Sequence, residues 1–382
     1  MSQGITTSKP TVLVAPLDWG LGHATRVIPI IRRLQQQECK VMVAARGRIR
    51  ALLELEFPGT QMLDLEGYSI QYPNKGWMFP VKIASQVPHI LATIKKEHQW
   101  LQQAVSAHQI DAVISDNRYG LYHPRISTMF ITHQLHIRTG LGSLADHLMQ
   151  RLNYQYINKF TECWVPDHAH GSNLAGSLSH PSRLPCVPVR YVGPLTRFSA
   201  DACIEKKHLL VVLSGPEPQR TVWEETILHQ LKSYKRPVVL VRGLPGSREL
   251  PKLPEFIQVF NHLPAQELAE VISSASYVIS RSGYSTVMDL LTMQKKSILV
   301  PTPGQAEQEY LAGHLMQENL ALCIPQNKFH LTGILDLANS FPYASIAADS
   351  KLDEILTEFI QTVTANIITN NKTDKPDTFY EL

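Results

Sequence analysis

The strongest constraint on this chain is the stretch Ser280-Arg281-Ser282-Gly283-Tyr284-Ser285-Thr286, with Asp289 behind it and Pro301-Thr302-Pro303-Gly304-Gln305-Ala306-Glu307-Gln308-Glu309-Tyr310 following. An apolar, strand-like run, Tyr277-Val278-Ile279, precedes it, and an amphipathic run over 287–293 follows. The pattern predicts a strand, a tight Ser/Gly turn and a helix N-terminus. Such a turn presents unpaired backbone N–H groups and the positive end of a helix dipole, and both attract phosphate. Ser282 and Gly283 are therefore candidate phosphate-binding positions. Asp289, further along that helix, is placed to accept hydrogen bonds from ribose hydroxyls. A second strand over 297–300 delivers a polar loop to the same sheet edge. There Gln308 and Glu309 open another helix and are candidates for reading sugar hydroxyls.

Short apolar strands alternate with amphipathic helices along the chain, the pattern of parallel α/β sheets. Strands are expected near 11–15, 40–44, 61–65, 112–115, 128–132 and 162–165, and again near 208–213, 238–241, 257–260, 277–279 and 297–300. A long helix is expected over 87–105, where Val87, Ile90, Leu91, Ile94, Leu101 and Val105 share one face. The stretch 174–188, rich in Ser, Pro and Gly, reads as a loop before a linker. The expected division is two Rossmann-like domains over 1–190 and 191–348, a C-terminal helix over 349–366 crossing back to the first domain, and a polar, frayed tail over 367–382. A chain of 382 residues is long enough for both domains.

Composition narrows the function classes. Hydrophobic content of 44% and charged content of 18% describe a soluble globular protein. A net charge of +3 is too small to argue for nucleic acid. Cys39, Cys163, Cys186, Cys203 and Cys323 are scattered without CxxC or metal spacing, as free thiols in a reducing compartment would be. Residues 1–10 hold no apolar signal core, and no apolar run approaches about 18 residues. The expected location is the cytoplasm.

A second glycine loop, Asp18-Trp19-Gly20-Leu21-Gly22-His23, follows the first strand and leads into a helix from Ala24. Its G-x-G spacing invites a dinucleotide reading. Thr25 occupies the third glycine position, and the second strand ends Val43-Ala44-Ala45-Arg46 with no acid for a ribose. Both departures count against NAD, and only Arg46 leaves NADP open. At a helix N-terminus the dipole favours a neutral imidazole, so His23 suits a general base. Its plainer role is a cap or a packing residue. Asp18 is a candidate to orient His23, or a turn residue. Asp116 and the pair His133-Gln134 each follow a predicted strand, at the carboxyl edge where α/β ligands bind. Asp116 is thus a second candidate base. His133 and His136 invite a metal, but no strand-based carboxylate completes such a site, and no metal is expected. No Asp-x-Asp occurs in the chain. That fits neutralisation of a leaving diphosphate by helix dipoles and arginines.

The two loops, in this order and at this distance, resemble the glycosyltransferases of GT-B architecture. Among them the likeness is to the family 28-like group that contains the peptidoglycan N-acetylglucosaminyltransferase and the plant diacylglycerol galactosyltransferases. The resemblance places Gly20, Gly22 and His23 in an acceptor domain facing the cleft. His133-Gln134 falls where the family carries a Glu-Gln pair near the acceptor, with His in place of Glu. The run Arg190 to Arg197 resembles the passage between domains, and Arg197 matches a phosphate-contacting arginine. Ser214 and Gly215 keep the small-residue character of a diphosphate loop, while Pro216 removes an N–H donor. Arg220 is a candidate to supply charge instead, against the alternative of a solvated surface residue. Arg242-Gly243 is a weaker donor-site candidate, and Asn261-His262-Leu263-Pro264 lies where the family's main chain packs on uracil.

What the resemblance implies is transfer of a hexose-type sugar from a UDP-sugar, with inversion and without metal or cofactor. The acceptor is a lipid, a glycan or a small molecule. Two rivals share the features: a nucleotide-sugar 2-epimerase and a non-catalytic nucleotide-sugar-binding protein. The aromatic and basic loop over 68–79, with Lys75, Trp77, Met78 and Phe79, lies in a region the family uses for acceptor or membrane contact. It suggests peripheral contact at the inner face of a membrane, against the alternative of a loop tucked onto the domain.

Overall fold

The computed structural model describes residues 9–70, 79–198, 208–215, 217–244, 247–346 and 349–373. The candidate membrane loop at 71–78, Pro216 and the tail from 374 lie outside the described residues. In the first domain the order is β1 (Thr11–Pro16), α1 (Leu21–Gln36), β2 (Lys40–Ala44), α2 (Gly47–Glu56), β3 (Gln61–Leu63), α3 (Phe79–His108), β4 (Ala112–Asp116), β5 (Ser127–Ile131), α4 (Ser143–Ile157), β6 (Glu162–Val165) and β7 (Val189–Tyr191). The second has β8 (His208–Val212), α5 (Gln219–Leu231), β9 (Val238–Val241), β10 (Ile257–Phe260), α6 (Ala265–Ser273), β11 (Ala275–Ser280), α7 (Tyr284–Thr292), β12 (Ser297–Leu299), α8 (Ala306–Gln317), β13 (Leu322–Cys323) and α9 (Leu331–Ser340), followed by α10 (Leu352–Thr373).

The strands form two parallel sheets, in the orders 3-2-1-4-5-6-7 and 10-9-8-11-12-13. The central strands are largely apolar because helices cover both faces; every residue of β1 is buried. In each sheet the strand order reverses once, between β1 and β4 and between β8 and β11. Two doubly wound, Rossmann-like domains result. Strands β7 and β13 were not expected from the sequence. They are three and two residues long and sit at sheet edges, too short for a readable period.

The chain crosses between the sheets twice, and the crossings touch. Lys351 N donates to Val192 O at 3.2 Å, and Ser350 Oγ reaches the same carbonyl at 3.3 Å. Gly193 makes this approach possible. Its φ is 79°, and a Cβ there would lie 2.8 Å from the Asp349 carbonyl oxygen. Beyond the crossing, α10 lies on the first domain. Leu352, Ile355, Leu356, Phe359 and Val363 are buried at helical spacing. Phe359 meets Trp164 edge-on at 5.6 Å, and Asp353 and Glu358 pair with Arg33 and Arg190, each at 2.7 Å. The helix runs on to Thr373 where a frayed tail was expected. Thr364 and Thr369 turn their hydroxyls onto the carbonyls of Ile360 and Ala365, so polar side chains are accommodated without leaving the helix. Among the described residues no helix is long and apolar enough to cross a membrane.

Candidate active site

Register builds the first half of the site. Pro16 at the end of β1 pairs with Asp116 at the end of β4, so both strands finish together at the switch point of the sheet. The loop after β1 starts α1 at Leu21, which puts His23 in its first turn and Arg26 one turn later. Both side chains reach Asp116. His23 Nδ1 lies 2.9 Å from Asp116 Oδ2, and Arg26 straddles the same carboxylate, with Nε 3.0 Å from Oδ2 and Nη2 2.5 Å from Oδ1. Asp116 is fully buried, whereas His23 keeps 19% of its side chain exposed. Burial raises the Asp116 carboxyl, but Arg26 and His23 outweigh it and hold the group below the usual carboxylate range. Burial also lowers the His23 imidazole, and the opposing attraction of Asp116 does not restore it. His23 is therefore neutral at physiological pH, beside an ionised carboxylate. Asp116, expected as an alternative base, is buried against these two partners, and its geometry is that of a group that orients His23.

Asp18 does something other than orient His23. Its carboxylate accepts from the backbone N–H of Tyr68 at 3.0 Å and of Ser69 at 3.3 Å, so it anchors the loop after β3. Below that loop Arg118 and Glu97, both 1% exposed, form an ion pair at 2.8 Å that also ties in Tyr68 and Gly120.

The second domain supplies the opposite wall. α7 starts at Tyr284 directly after Ser282-Gly283, and no side chain caps it. A Cβ added to Gly283, Gly215 or Gly20 would meet no atom within 4 Å, so all three border open space. The N-termini of α1 and α7 face each other closely. Ser285 Oγ donates to Gly22 O at 3.0 Å, and a Cβ on Gly22 would fall 2.7 Å from Ser285 Oγ. His133, at the end of β5, stacks on Tyr284 with ring centroids 4.0 Å apart. Its Nε2 lies 2.8 Å from Glu307 Oε1 and its Nδ1 3.3 Å from Arg26 Nη1. Gln134 sits beside it, with Nε2 3.5 Å from His133 Nε2. Burial raises the Glu307 carboxyl, but the hydrogen bond from His133 wins and leaves it below the usual range.

Several donor-site expectations meet a different arrangement. Gln308 is buried; its Oε1 accepts from Thr302 N at 2.9 Å. Glu309 accepts from Gly304 N at 2.8 Å. Both fold back on the turn before α8, because side chains in a first helical turn readily satisfy nearby backbone donors. Glu307 is the residue that crosses the cleft. Arg220 is also committed: it pairs with Glu217 at 2.6 Å and Glu224 at 3.0 Å and is 6% exposed, so its charge is already neutralised. Arg242 joins the same carboxylate of Glu224. Arg197 differs. Its buried Nε has no hydrogen-bond partner among the described residues, and burial lowers its guanidinium. Beside it, Asp289 accepts from Thr196 Oγ1 at 2.7 Å, and burial pushes its carboxyl up to about 6 against the pull of Arg197. Ser214, two residues past β8, is half-buried.

Arg26, Glu307 and Arg281 have site roles that pattern reading did not assign. Arg281 is 2% exposed, stacks on Trp223 at 4.8 Å and donates to the carbonyls of Val300 and Pro301, each at 3.2 Å. It thereby ties the loops after β11 and β12 together. A charge at position 26, directly before the apolar run Val27, Ile28, Ile30 and Ile31, was the readable signal for Arg26.

Two doubly wound domains that meet through their carboxyl edges across a cleft are the GT-B architecture. Residues 226–340 match the glycosyltransferase family 28 C-terminal domain, and the chain as a whole has the GT-B fold. The UDP-N-acetylglucosamine–N-acetylmuramyl-(pentapeptide) pyrophosphoryl-undecaprenol N-acetylglucosamine transferase of Haemophilus ducreyi is 22% identical over 332 residues, 83% of this chain and 85% of that protein. The transferase of the same name from Bradyrhizobium diazoefficiens is 39% identical over 77 residues, and the shared stretch spans only 20% of its length. Among solved structures, the glycotransferase of kitacinnamycin covers 94% of this chain and 96% of its own at 16% identity and a TM-score of 0.60. The glycosyltransferase SnogD from Streptomyces nogalater covers 95% and 99% at 14% identity and a TM-score of 0.56. At such identities these two structures establish the shared fold.

Proposed function

We propose that the chain is an inverting, metal-independent glycosyltransferase that moves a hexose-type sugar from a UDP-sugar to a hydroxyl of a lipid, glycan or small-molecule acceptor. The observation that carries this reading is the His23–Asp116 pair, set opposite the uncapped N-terminus of α7. With the Nδ1 proton held on Asp116, His23 Nε2 carries the free lone pair. It takes the proton of an acceptor hydroxyl, and that oxygen forms the new bond to the anomeric carbon. The bond from that carbon to the diphosphate breaks, and its electron pair stays on the phosphate oxygen. Backbone N–H groups at Gly283 and along the first turn of α7, with Arg197, receive that charge.

Ser282, Ser214, Gly215 and Asp289 complete the donor side; Gly20, Gly22, His133 and Gln134 line the acceptor side. The name of the Haemophilus ducreyi relative specifies a UDP-sugar donor and a lipid-linked acceptor, which supports uridine here. Work in the cytoplasm with peripheral membrane contact is part of the same proposal. Thermal unfolding with nucleotides tests the reading. UDP at about a hundred times its dissociation constant should add about 2.7 kcal/mol, with less from GDP, ADP or NADP at equal concentration. Stabilisation by NADP equal to that by UDP would replace this reading with an oxidoreductase.

A further inference from the structure

Helix α4 carries a second apolar face besides the one that packs. Leu144, Leu148 and Leu152 are 84%, 60% and 41% exposed, and Leu141, in the turn before the helix, is exposed as well. Spacings of three and four place them in one row along the helix. The opposite side holds α4 to the domain. Asn153 and Ile157 are buried there, and Asn153 Nδ2 donates to Gln134 O at 3.0 Å. The leucines are therefore left over after packing is complete. A contiguous row of large apolar side chains in water marks a surface that meets something else.

Charge says what that something is. Between His133 and Thr161 the chain has one acid, Asp146. Its carboxylate is taken up by Thr139, whose backbone N and Oγ1 donate to it at 2.7 and 2.6 Å. The cations stay outside. Arg151 follows Leu148 by three and Leu144 by seven, so it shares their face; it is exposed and has no carboxylate partner among the described residues. Past the end of the helix, Lys159 Nζ lies 4.8 Å from the rings of both Tyr122 and Tyr156. Before its start, the Arg138 guanidinium lies over Tyr310 at 4.1 Å. A second copy of the chain on this face would set one uncompensated cationic row against another. An anionic lipid surface matches both features: leucines enter the acyl boundary while Arg151 and Lys159 stay among the headgroups.

We propose that α4 docks the protein on an anionic lipid bilayer, lying in the plane of the surface with Leu144, Leu148 and Leu152 in the interface. The docked face adjoins the cleft, because Arg138 rests on Tyr310 of α8 and Asn153 holds the loop that carries Gln134. The acceptor side of the cleft then opens beside the headgroups. That use of the surface rests on the glycosyltransferase reading and extends it; the docking itself does not depend on it.

Sedimentation of the full-length protein with sucrose-loaded vesicles tests this. The wild type should bind phosphatidylcholine vesicles that contain phosphatidylglycerol and ignore vesicles of phosphatidylcholine alone. The double variant Leu144→Ser, Leu148→Ser should bind the anionic vesicles roughly a hundredfold more weakly, and Arg151→Gln about fivefold more weakly. Thermal unfolding without lipid should match the wild type, because all three side chains are exposed. Undiminished binding of anionic vesicles by the double variant would overturn the proposal. So would equal binding of both vesicle types. A wild-type dimer that the double variant turns into monomers, with no vesicle binding by either, would also overturn it, since the face would then belong to a second copy. UDP-induced stabilisation on the same samples separates the two ideas. A wild type that binds anionic vesicles and ignores UDP counts against the donor reading and leaves the docking intact.

Discussion

Replacing Asp289 with Asn should make the nucleotide-free protein more stable at pH 8 and a poorer binder of UDP. Burial pushes this carboxyl up to about 6 from an ordinary value of 3.8. A raised folded value means the folded state holds the proton more tightly than the unfolded one. The stability gained from that proton is complete below the unfolded value and is lost as pH rises through about 6. The gap of roughly two units corresponds to about 3 kcal/mol of cost for the ionised group in the fold. Asp289 is only partly shielded from solvent, and the variant forfeits its attraction to Arg197, so a net gain of about 1–2 kcal/mol is expected. Asn keeps an oxygen for Thr196 Oγ1. Guanidinium unfolding at pH 8 and pH 4 without nucleotide is the assay: the variant should lead at pH 8 and lose its advantage at pH 4. UDP affinity should fall by about 1.5–3 kcal/mol, the usual loss for a hydrogen bond to a charged group. A variant less stable than the wild type at pH 8 would refute the reasoning, because Asp289 and Arg197 would then be a net stabilising pair and not a strained site awaiting a ligand.

His23→Ala should cut turnover by roughly 10²–10⁴-fold while UDP affinity stays near normal, since the proposed donor site lies on the other domain; near-normal turnover in kinetic assays would place the base elsewhere. Gly22→Ala drives a methyl to 2.7 Å from Ser285 Oγ and should slow turnover by holding the cleft apart. Adding Ser285→Ala should restore part of the loss, and a strictly additive double mutant would count against that contact. Phe359→Ala removes the ring that packs on Trp164 and should cost about 3–5 kcal/mol in denaturant unfolding; a cost below 1 kcal/mol would mean α10 is held by its ion pairs instead.

Much of the fold was legible because its signals are local. Each central strand is an apolar run bounded by turn residues, and buried parallel strands need no partner-specific code. Asp116 was readable in the same way, as a carboxylate at the end of such a strand. What escaped depends on distance in sequence. The partners of Asp18 come from the loop at 68–69, and nothing near residue 18 announces them. Gln308, Glu309 and Glu307 are adjacent acids and amides in one first turn; only helix phase decides which of them crosses the cleft. Arg220 reads as a free cation until Glu217, from the turn before α5, and Glu224, within α5, are seen closing around it, at spacings of three and four that were present in the sequence.

The touching crossings at Val192–Gly193 and Ser350–Lys351 have a mechanical consequence. Two tethers that meet at one place act as a single pivot, so the domains can swing but hardly slide. Motion then grows with the length of the lever arm. Thr196 is three residues from Gly193, and its bond to Asp289 lies on a short arm. A ribose held there would keep its seat through the swing, and the sugar end of the donor would travel furthest.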